Sequence, residues 1–342
     1  MATKTHISSG FTCRLAVALL ALVVIFVLPP AARVEAQTGL SVHTWTIHYT
    51  AWNGRDRQAT VLLPSWYGPS NHPSIPLVIA PHGRGCNGRV NAKYWGNLPA
   101  RGGFAVVNPD GMGRRMGNYS YGFKGQIDDL ARMPELTMRA LPWLHIDMSR
   151  IYALGSSMGG QETLLLVARH PHRLAGAAAM DSVTDLGKRY GELPSVACNK
   201  RCEQRFGQRY GYLLQAAMRS EVGGTPAAAP AAYAARSAMH FARQIAFSGV
   251  PLQIWWSRND QIVTNQRGQS GRLFRALTKL NPEAPIVGYE GAWAHSTEMH
   301  AEALLPVAVA GFGLVPRTYA DRVARSQHAP MRMPAAMTAA SH

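Results

Sequence analysis

Ile151-Tyr-Ala-Leu-Gly-Ser-Ser157-Met-Gly-Gly160 runs from four β-forming or apolar residues straight into a serine flanked by glycines, and Gln161-Glu-Thr-Leu-Leu-Leu-Val-Ala-Arg169 follows with helical composition. The Gly155-x-Ser157-x-Gly159 spacing matters because of what stands on either side. A strand that turns abruptly into a helix holds its apex residue at positive φ, with the side chain proud of the sheet. Gly155 and Gly159 leave room for that turn, whereas Ser156 lacks the symmetric glycine spacing. Ser157 is therefore the candidate nucleophile.

Outward from this turn, the chain alternates short apolar runs with helix-length stretches. Thr44 to Trp52 and Gln58 to Leu63 read as two opening strands of an antiparallel edge. Pro76 to Ala80, Phe104 to Asn108, Arg150 to Leu154, Leu174 to Met180 and Pro251 to Trp256 read as strands buried on both faces, as in a parallel sheet covered by helices. Gln126 to Leu144 carries apolar residues at mostly helical spacing, and Gly160 to His170 is a second helix, stopped by Pro171. Residues 185 to 247 break the alternation and are expected to form a helical cap, with longer connecting helices as the alternative. Helix 269 to 280, strand 286 to 289 and helix 296 to 310 complete the pattern.

A serine hydroxyl needs a histidine base and a carboxylate that orients it. Asp260, in Ser-Arg-Asn-Asp260-Gln-Ile-Val263, follows the strand ending in Trp256, and His295, in Tyr-Glu-Gly-Ala-Trp-Ala-His295, follows the strand 286 to 289. Both fall at the carboxyl edge of the sheet, where catalysis collects in open α/β folds, and in the order serine, acid, histidine. Asp181, after the strand ending at Met180, is the competing acid. His300 and Glu290 read as structural. The Met158 backbone N–H, at the start of the helix after Ser157, is one expected oxyanion donor. Gly83 or Arg84, in Pro81-His-Gly-Arg-Gly85, supplies the second, and His82 organises that loop. Trp255 and Trp256 are expected in the core, and Trp293 at the pocket.

On these residues the chain resembles the α/β-hydrolases of the prolyl oligopeptidase family (the dipeptidyl aminopeptidase and acylaminoacyl peptidase type) and the secreted esterases close to it, over about residues 58 to 310. Arg150 to Gly160 resembles that family's strand and elbow. Asp181-Ser-Val-Thr-Asp185, and Arg236 to Ile245 leading into Pro251-Leu-Gln-Ile-Trp-Trp256, resemble its next segments. The resemblance implies an α/β-hydrolase fold, a mostly parallel eight-stranded sheet with helices on both faces and a helical cap excursion. It also implies a serine hydrolase whose triad is Ser157, Asp260 and His295, cleaving an ester or peptide acyl bond without a cofactor. The loop Pro81 to Gly88 looks more like that of secreted polyester depolymerases and feruloyl or acetylxylan esterases.

Composition bounds the remainder. The 342 residues are 47% hydrophobic and 16% charged, which suits one packed catalytic domain over 37 to 315. Lys4 and Arg14 ahead of the apolar run Leu15 to Leu28, then Val34-Glu35-Ala36, read as a secretory signal peptide over 1 to 36. That run falls short of the roughly 20 residues a bilayer requires, and a retained anchor is the alternative. Its removal takes the formal charge from +16 to +14 (three basic residues and one acidic lost), a basic surface suited to anionic contacts. No nucleic-acid motif accompanies the charge, and the alternative it raises, a non-catalytic surface-binding protein on a hydrolase scaffold, is opposed by the complete set of Ser157, Asp260 and His295. The 13 histidines form no His-x-x-x-His pair with a nearby carboxylate, and Gly83, Gly85 and Gly88 make no phosphate-binding fingerprint, so neither a metal nor a nucleotide is expected. In an oxidising compartment Cys198 and Cys202, four apart, are expected to clip a loop as a disulfide, leaving the state of Cys86 open. Residues 316 to 342, basic and rich in Ala and Met, are expected to be a disordered tail.

Overall fold

The computed structural model describes residues 40–111, 121–196 and 210–326. Eight strands form one sheet: β1 (Val42–Thr50), β2 (Asp56–Pro64), β3 (Ile75–Ile79), β4 (Ala105–Pro109), β5 (Ile146–Ser156), β6 (Gly176–Met180), β7 (Leu252–Ser257) and β8 (Ile286–Gly291). Their order is β1-β2-β4-β3-β5-β6-β7-β8. β2 runs antiparallel to β1 and β4, while β4, β3, β5, β6, β7 and β8 pair in parallel. The antiparallel edge and parallel centre expected from the sequence are both present.

Two apolar layers cover the sheet, and the pleat sorts its residues between them. Leu77, Ile79, Val107, Ile151, Ala153, Ala177, Ala179, Ile254 and Trp256 point to one side, onto α3 (Lys124–Ala131), α4 (Met133–Ala140), α5 (Met158–Arg169) and the later helix Ser270–Leu280. Val78, Ala80, Val106, Tyr152, Leu154, Ala178, Met180 and Trp255 point to the other, against α1 (Gly88–Ala92), α2 (Leu98–Gly102) and the carboxyl-terminal helices. Continuous apolar runs are thus the mark of strands that alternate between two buried faces.

Beyond β6 the chain leaves the sheet. α6 (Leu186–Glu192), α7 (Tyr210–Val222), α8 (Pro230–Ala234) and α9 (Ala242–Ala246) precede its return at β7. A third apolar cluster, among them Leu186, Leu193, Leu214, Met218, Val222 and Tyr233, packs α6, α7 and α8 on Met158, Val183 and Val263 at the sheet's carboxyl edge. α10 (Ser270–Leu280), α11 (Leu305–Ala310) and α12 (Arg317–Ser326) complete the described chain.

Three expectations require correction. The helix expected over Gln126 to Leu144 is two helices broken at Arg132, with Pro134 in the first turn of the second, where its missing N–H costs nothing. The helix expected over 296 to 310 begins as a single 3₁₀ turn, Thr297–Met299, after Ser296 at φ +63°, and becomes α-helical only at Leu305. The tail expected to be disordered from 316 starts with α12, which buries Ala320 and sets Tyr319 under the Arg101 guanidinium, 4.6 Å from the ring centroid. Its apolar residues are short and spaced among arginines, so the stripe was hidden by composition. Residues 1 to 36, Cys198, Cys202 and 327 to 342 lie outside the described residues. None of the described helices is long and apolar enough to cross a membrane.

Candidate active site

β5 ends at Ser156 and α5 begins at Met158, so Ser157 alone makes the turn, at φ +60° and ψ −121°. Close backbone packing dictates the glycines around it. A Cβ on Gly155 would lie 2.5 Å from the carbonyl carbon of Gly159, and one on Gly159 would lie 2.2 Å from the carbonyl oxygen of Pro81. The Ser157 amide donates to the Met180 carbonyl at 2.9 Å, fixing the elbow to β6. The loop after β3 closes over it: a Cβ at Gly83 would be 3.8 Å from that of Ser157. Gly83 is therefore the loop residue against the serine. Arg84 gives its side chain to Glu221 of α7, 2.7 Å away, tying this loop to the helical excursion. Neighbouring His82 is buried, its ring held by the carbonyl oxygens of Gly83 (2.8 Å) and Asp110 (3.0 Å), the organising role expected of it. Met158 opens α5, where first-turn amides and the helix dipole favour negative charge.

Asp260 and His295 come together across β7 and β8. His295 Nδ1 lies 2.7 Å from Asp260 Oδ2, with the imidazole 13% and the carboxylate 1% exposed. Three further donors hold that carboxylate: the amides of Ile262 and Val263, each 2.8 Å from Oδ1, and Gln266 Nε2, 3.0 Å from Oδ2. Burial works against the charge on Asp260, but the bond and charge of His295, helped by Gln266 and Val263, outweigh it, and the pKa falls below the ordinary carboxylate value. For His295 burial works downward and Asp260 upward, and Asp260 prevails. Four donors thus keep a buried carboxylate ionised, and that charge favours the imidazolium.

Asp181, the competing acid, is otherwise engaged. Oδ1 accepts from the Ser257 amide at 3.0 Å and Oδ2 from Trp293 Nε1 at 2.8 Å. Trp293, expected at the pocket, is thereby tied to Asp181 and packs beside Trp255. Trp255 and Trp256 are buried in the two faces of the core, as expected. His300 packs its ring on Tyr94, and Glu290 pairs with Arg267. One side-chain ligand atom from each of Asp181, Asp260 and His295 falls within a 4.8 Å cluster, the spacing a metal ion would need. Here, however, the imidazole Nδ1 is committed to Asp260 and both Asp181 oxygens to protein donors.

Two residues escaped the sequence reading. Ser156, set aside as the wrong serine, places its Oγ 2.6 Å from Glu298 Oε1 and 3.0 Å from the Ser296 hydroxyl. The neighbours of Ser157 and of His295 are therefore in direct contact, which brings the elbow and the histidine loop together. Glu298 is 1% exposed. No periodicity marks it, since it sits in a single 3₁₀ turn where the start of a longer helix, 296 to 310, is expected. Among described residues the non-glycine positions with positive φ are Tyr121, Ser157, Asp181 and Ser296, and the last three all belong to this site.

No protein-family model matches the sequence, and no curated protein matches it. Solved structures do. The chain is similar to an acylaminoacyl peptidase of Pyrococcus horikoshii (TM-score 0.57, 14% identity), over 75% of this chain and 38% of that one. It is similar to a Pyrococcus furiosus esterase (TM-score 0.54, 14% identity), over 83% of this chain and 92% of that one. It is also similar to an S-formylglutathione hydrolase of Staphylococcus aureus (TM-score 0.52, 15% identity), over 75% of this chain and 92% of that one. The chain thus spans well under half the length of the peptidase and nearly all of the two shorter enzymes. What these likenesses establish is the α/β-hydrolase fold.

Proposed function

We propose, from an α/β-hydrolase fold carrying a serine at its elbow and a histidine–aspartate pair beside it, that this chain is a serine hydrolase that cleaves an acyl bond of a small ester or peptide. The observation that carries the reading is the 2.7 Å His295–Asp260 bond, in the loop whose next residue, Ser296, touches the residue preceding Ser157. With Nδ1–H given to Asp260, His295 keeps Nε2 as the base. Ser157 attacks the acyl carbon as its proton passes to Nε2. The oxyanion is received by the Met158 amide and by Gly83 or Arg84, each such donor worth about 3 kcal/mol of transition-state stabilisation. The imidazolium returns its proton to the leaving group, and water then releases the acyl group by the same steps in reverse roles.

An ester is the favoured substrate. The chain covers 92% of the Pyrococcus furiosus esterase but only 38% of the acylaminoacyl peptidase, and its own helical excursion packs on Met158, beside the serine. The apolar run at Leu15 to Leu28 supports action outside the cytoplasm, on a substrate met after export. The test is turnover of acyl esters of graded chain length, and of aminoacyl and prolyl amides, by wild type and Ser157→Ala. Ester turnover that falls roughly 10⁴-fold or more in the alanine variant is expected. Amide turnover alone would replace the ester by a peptide, and activity surviving in Ser157→Ala would overturn the assignment.

A further inference from the structure

The turn that carries the acid is held from outside by a helix that takes no part in the proton path. The Val263 amide donates to Asp260 Oδ1 at 2.8 Å. The carbonyl of Ile262, the other end of the same peptide unit, accepts from Arg189 Nη2 of α6 at 2.5 Å. That unit is planar and trans, so its C=O and N–H point in opposite directions and cannot turn independently. Fixing the oxygen on α6 therefore fixes the N–H on Asp260. The same helix grips the segment that follows. Glu192 accepts from Asn265 Nδ2 at 2.8 Å and from Gln269 Nε2 at 2.9 Å, and Asp185, capping α6, pairs with Arg272 at 3.0 Å.

Stability is a poor account of this arginine. It is 2% exposed, its Nη1 is buried without a hydrogen-bond partner, and no carboxylate pairs with it among the described residues. A buried guanidinium with an unmatched donor costs stability that an apolar side chain of similar length would not. What an apolar side chain cannot do is hold the Ile262 carbonyl.

We propose that Arg189 is a positioning residue for the acid: by holding the carbonyl end of the Ile262–Val263 peptide it aims the amide end at Asp260, which makes α6 a fixed clamp on the acid turn. The inference rests on the hydrolase reading. Arg189 bonds to the turn and not to the acid itself, so it acts through the backbone. With Oδ1 held by the Ile262 and Val263 amides, Oδ2 is left facing His295 Nδ1. A peptide unit released from α6 is free to tilt, the carboxylate follows it, and the imidazole loses the orientation that presents Nε2 to Ser157. The loss falls on the chemical step and not on substrate binding.

Turnover of p-nitrophenyl butyrate, the rate of fluorophosphonate labelling and thermal melting are measured for wild type, Arg189→Met, Arg189→Lys, Asp260→Asn and the double Asp260→Asn/Arg189→Met. Arg189→Met is expected to lose roughly 10- to 100-fold in kcat with KM within about twofold, and to melt within about 5 °C of wild type. Arg189→Lys should lie between the two, since a single carbonyl bond needs one donor and not the guanidinium fork. The double should label within about twofold of Asp260→Asn, because the arginine acts through that carboxyl. Wild-type kcat in Arg189→Met, or a multiplied loss in the double, overturns the proposal. A rise in KM in place of the fall in kcat overturns it too, making Arg189 a substrate contact. A purely structural role would lower melting and leave kcat per labelled serine unchanged. If Arg189→Met fails to fold, Arg189→Lys is compared in the wild-type and Asp260→Asn backgrounds: a loss in the first alone supports the proposal, and no loss or the same loss in both overturns it. Wild type that neither turns over the ester nor labels at Ser157 would defeat the hydrolase reading and this proposal together. An active wild type matched by Arg189→Met would defeat the clamp only.

Discussion

His295 is pulled in two directions, and the stronger pull sets a measurable pH. Burial favours the neutral ring, but the 2.7 Å bond to an ionised Asp260 favours the imidazolium, and the pKa stands above the ordinary histidine value. A general base acts neutral, so activity is lost as pH falls through that pKa. The acid limb of kcat/KM is therefore expected above about pH 6.5, checked by a pH–rate profile on a rapidly cleaved ester. A limb well below that value would mean the Asp260 charge is not felt at the ring. Ser157, Asp260 and His295 were legible because each follows a strand, and strands announce themselves by composition. Glu298 was not, because a buried acid in a 3₁₀ turn has no periodic neighbours to mark it as internal. The contacts of Ser156 were not legible for a related reason: glycine spacing identifies the attacking serine and is silent on the hydroxyl beside it.

Between β5 and α5 the elbow depends on backbone surfaces in contact rather than on side chains. With Gly159 opposed by the Pro81 carbonyl, Gly159→Ala would place a methyl 2.2 Å from an oxygen that cannot rotate away. Either the elbow or the loop after β3 must shift. Overpacking of this sort costs about 1–3 kcal/mol, and the displacement separates Gly83 from Ser157. The expected outcome is a lowered denaturation midpoint together with a fall in kcat larger than the change in KM. A wild-type kcat would show that the Gly83 loop plays no part in the chemistry. Strand positions were readable throughout, since apolar runs bounded by turn residues have few alternatives. Helices were less so. Arg132 interrupts a stripe whose spacing looks continuous, and Ser296 breaks another by adopting positive φ ahead of the 3₁₀ turn Thr297–Met299, which side-chain pattern does not encode. α12 was missed because alanines and a tyrosine among arginines resemble a solvated tail.

Across the whole molecule, one arrangement makes the site: a parallel sheet whose carboxyl ends deliver Ser157 from β5, Asp181 from β6, Asp260 from β7 and His295 from β8 onto one edge. The order of these strands in the sheet follows their order in the chain, so four adjacent turns meet without any long excursion except α6 to α9. That excursion packs Leu186, Leu214 and Met218 on Met158, next to the serine, and the Arg84–Glu221 ion pair ties α7 to the loop bearing Gly83. Under the proposed function, substrate range is expected to depend on the part of the chain whose sequence pattern says least, and the reaction on the part that says most. The most direct test of that reaction is labelling with a fluorophosphonate, which reacts with a serine only when a neighbouring base activates it. Mass spectrometry of the digested wild type should place the adduct on Ser157, absent in Ser157→Ala and much slowed in His295→Ala. No adduct in the wild type, or an adduct that persists in Ser157→Ala, would contradict the account.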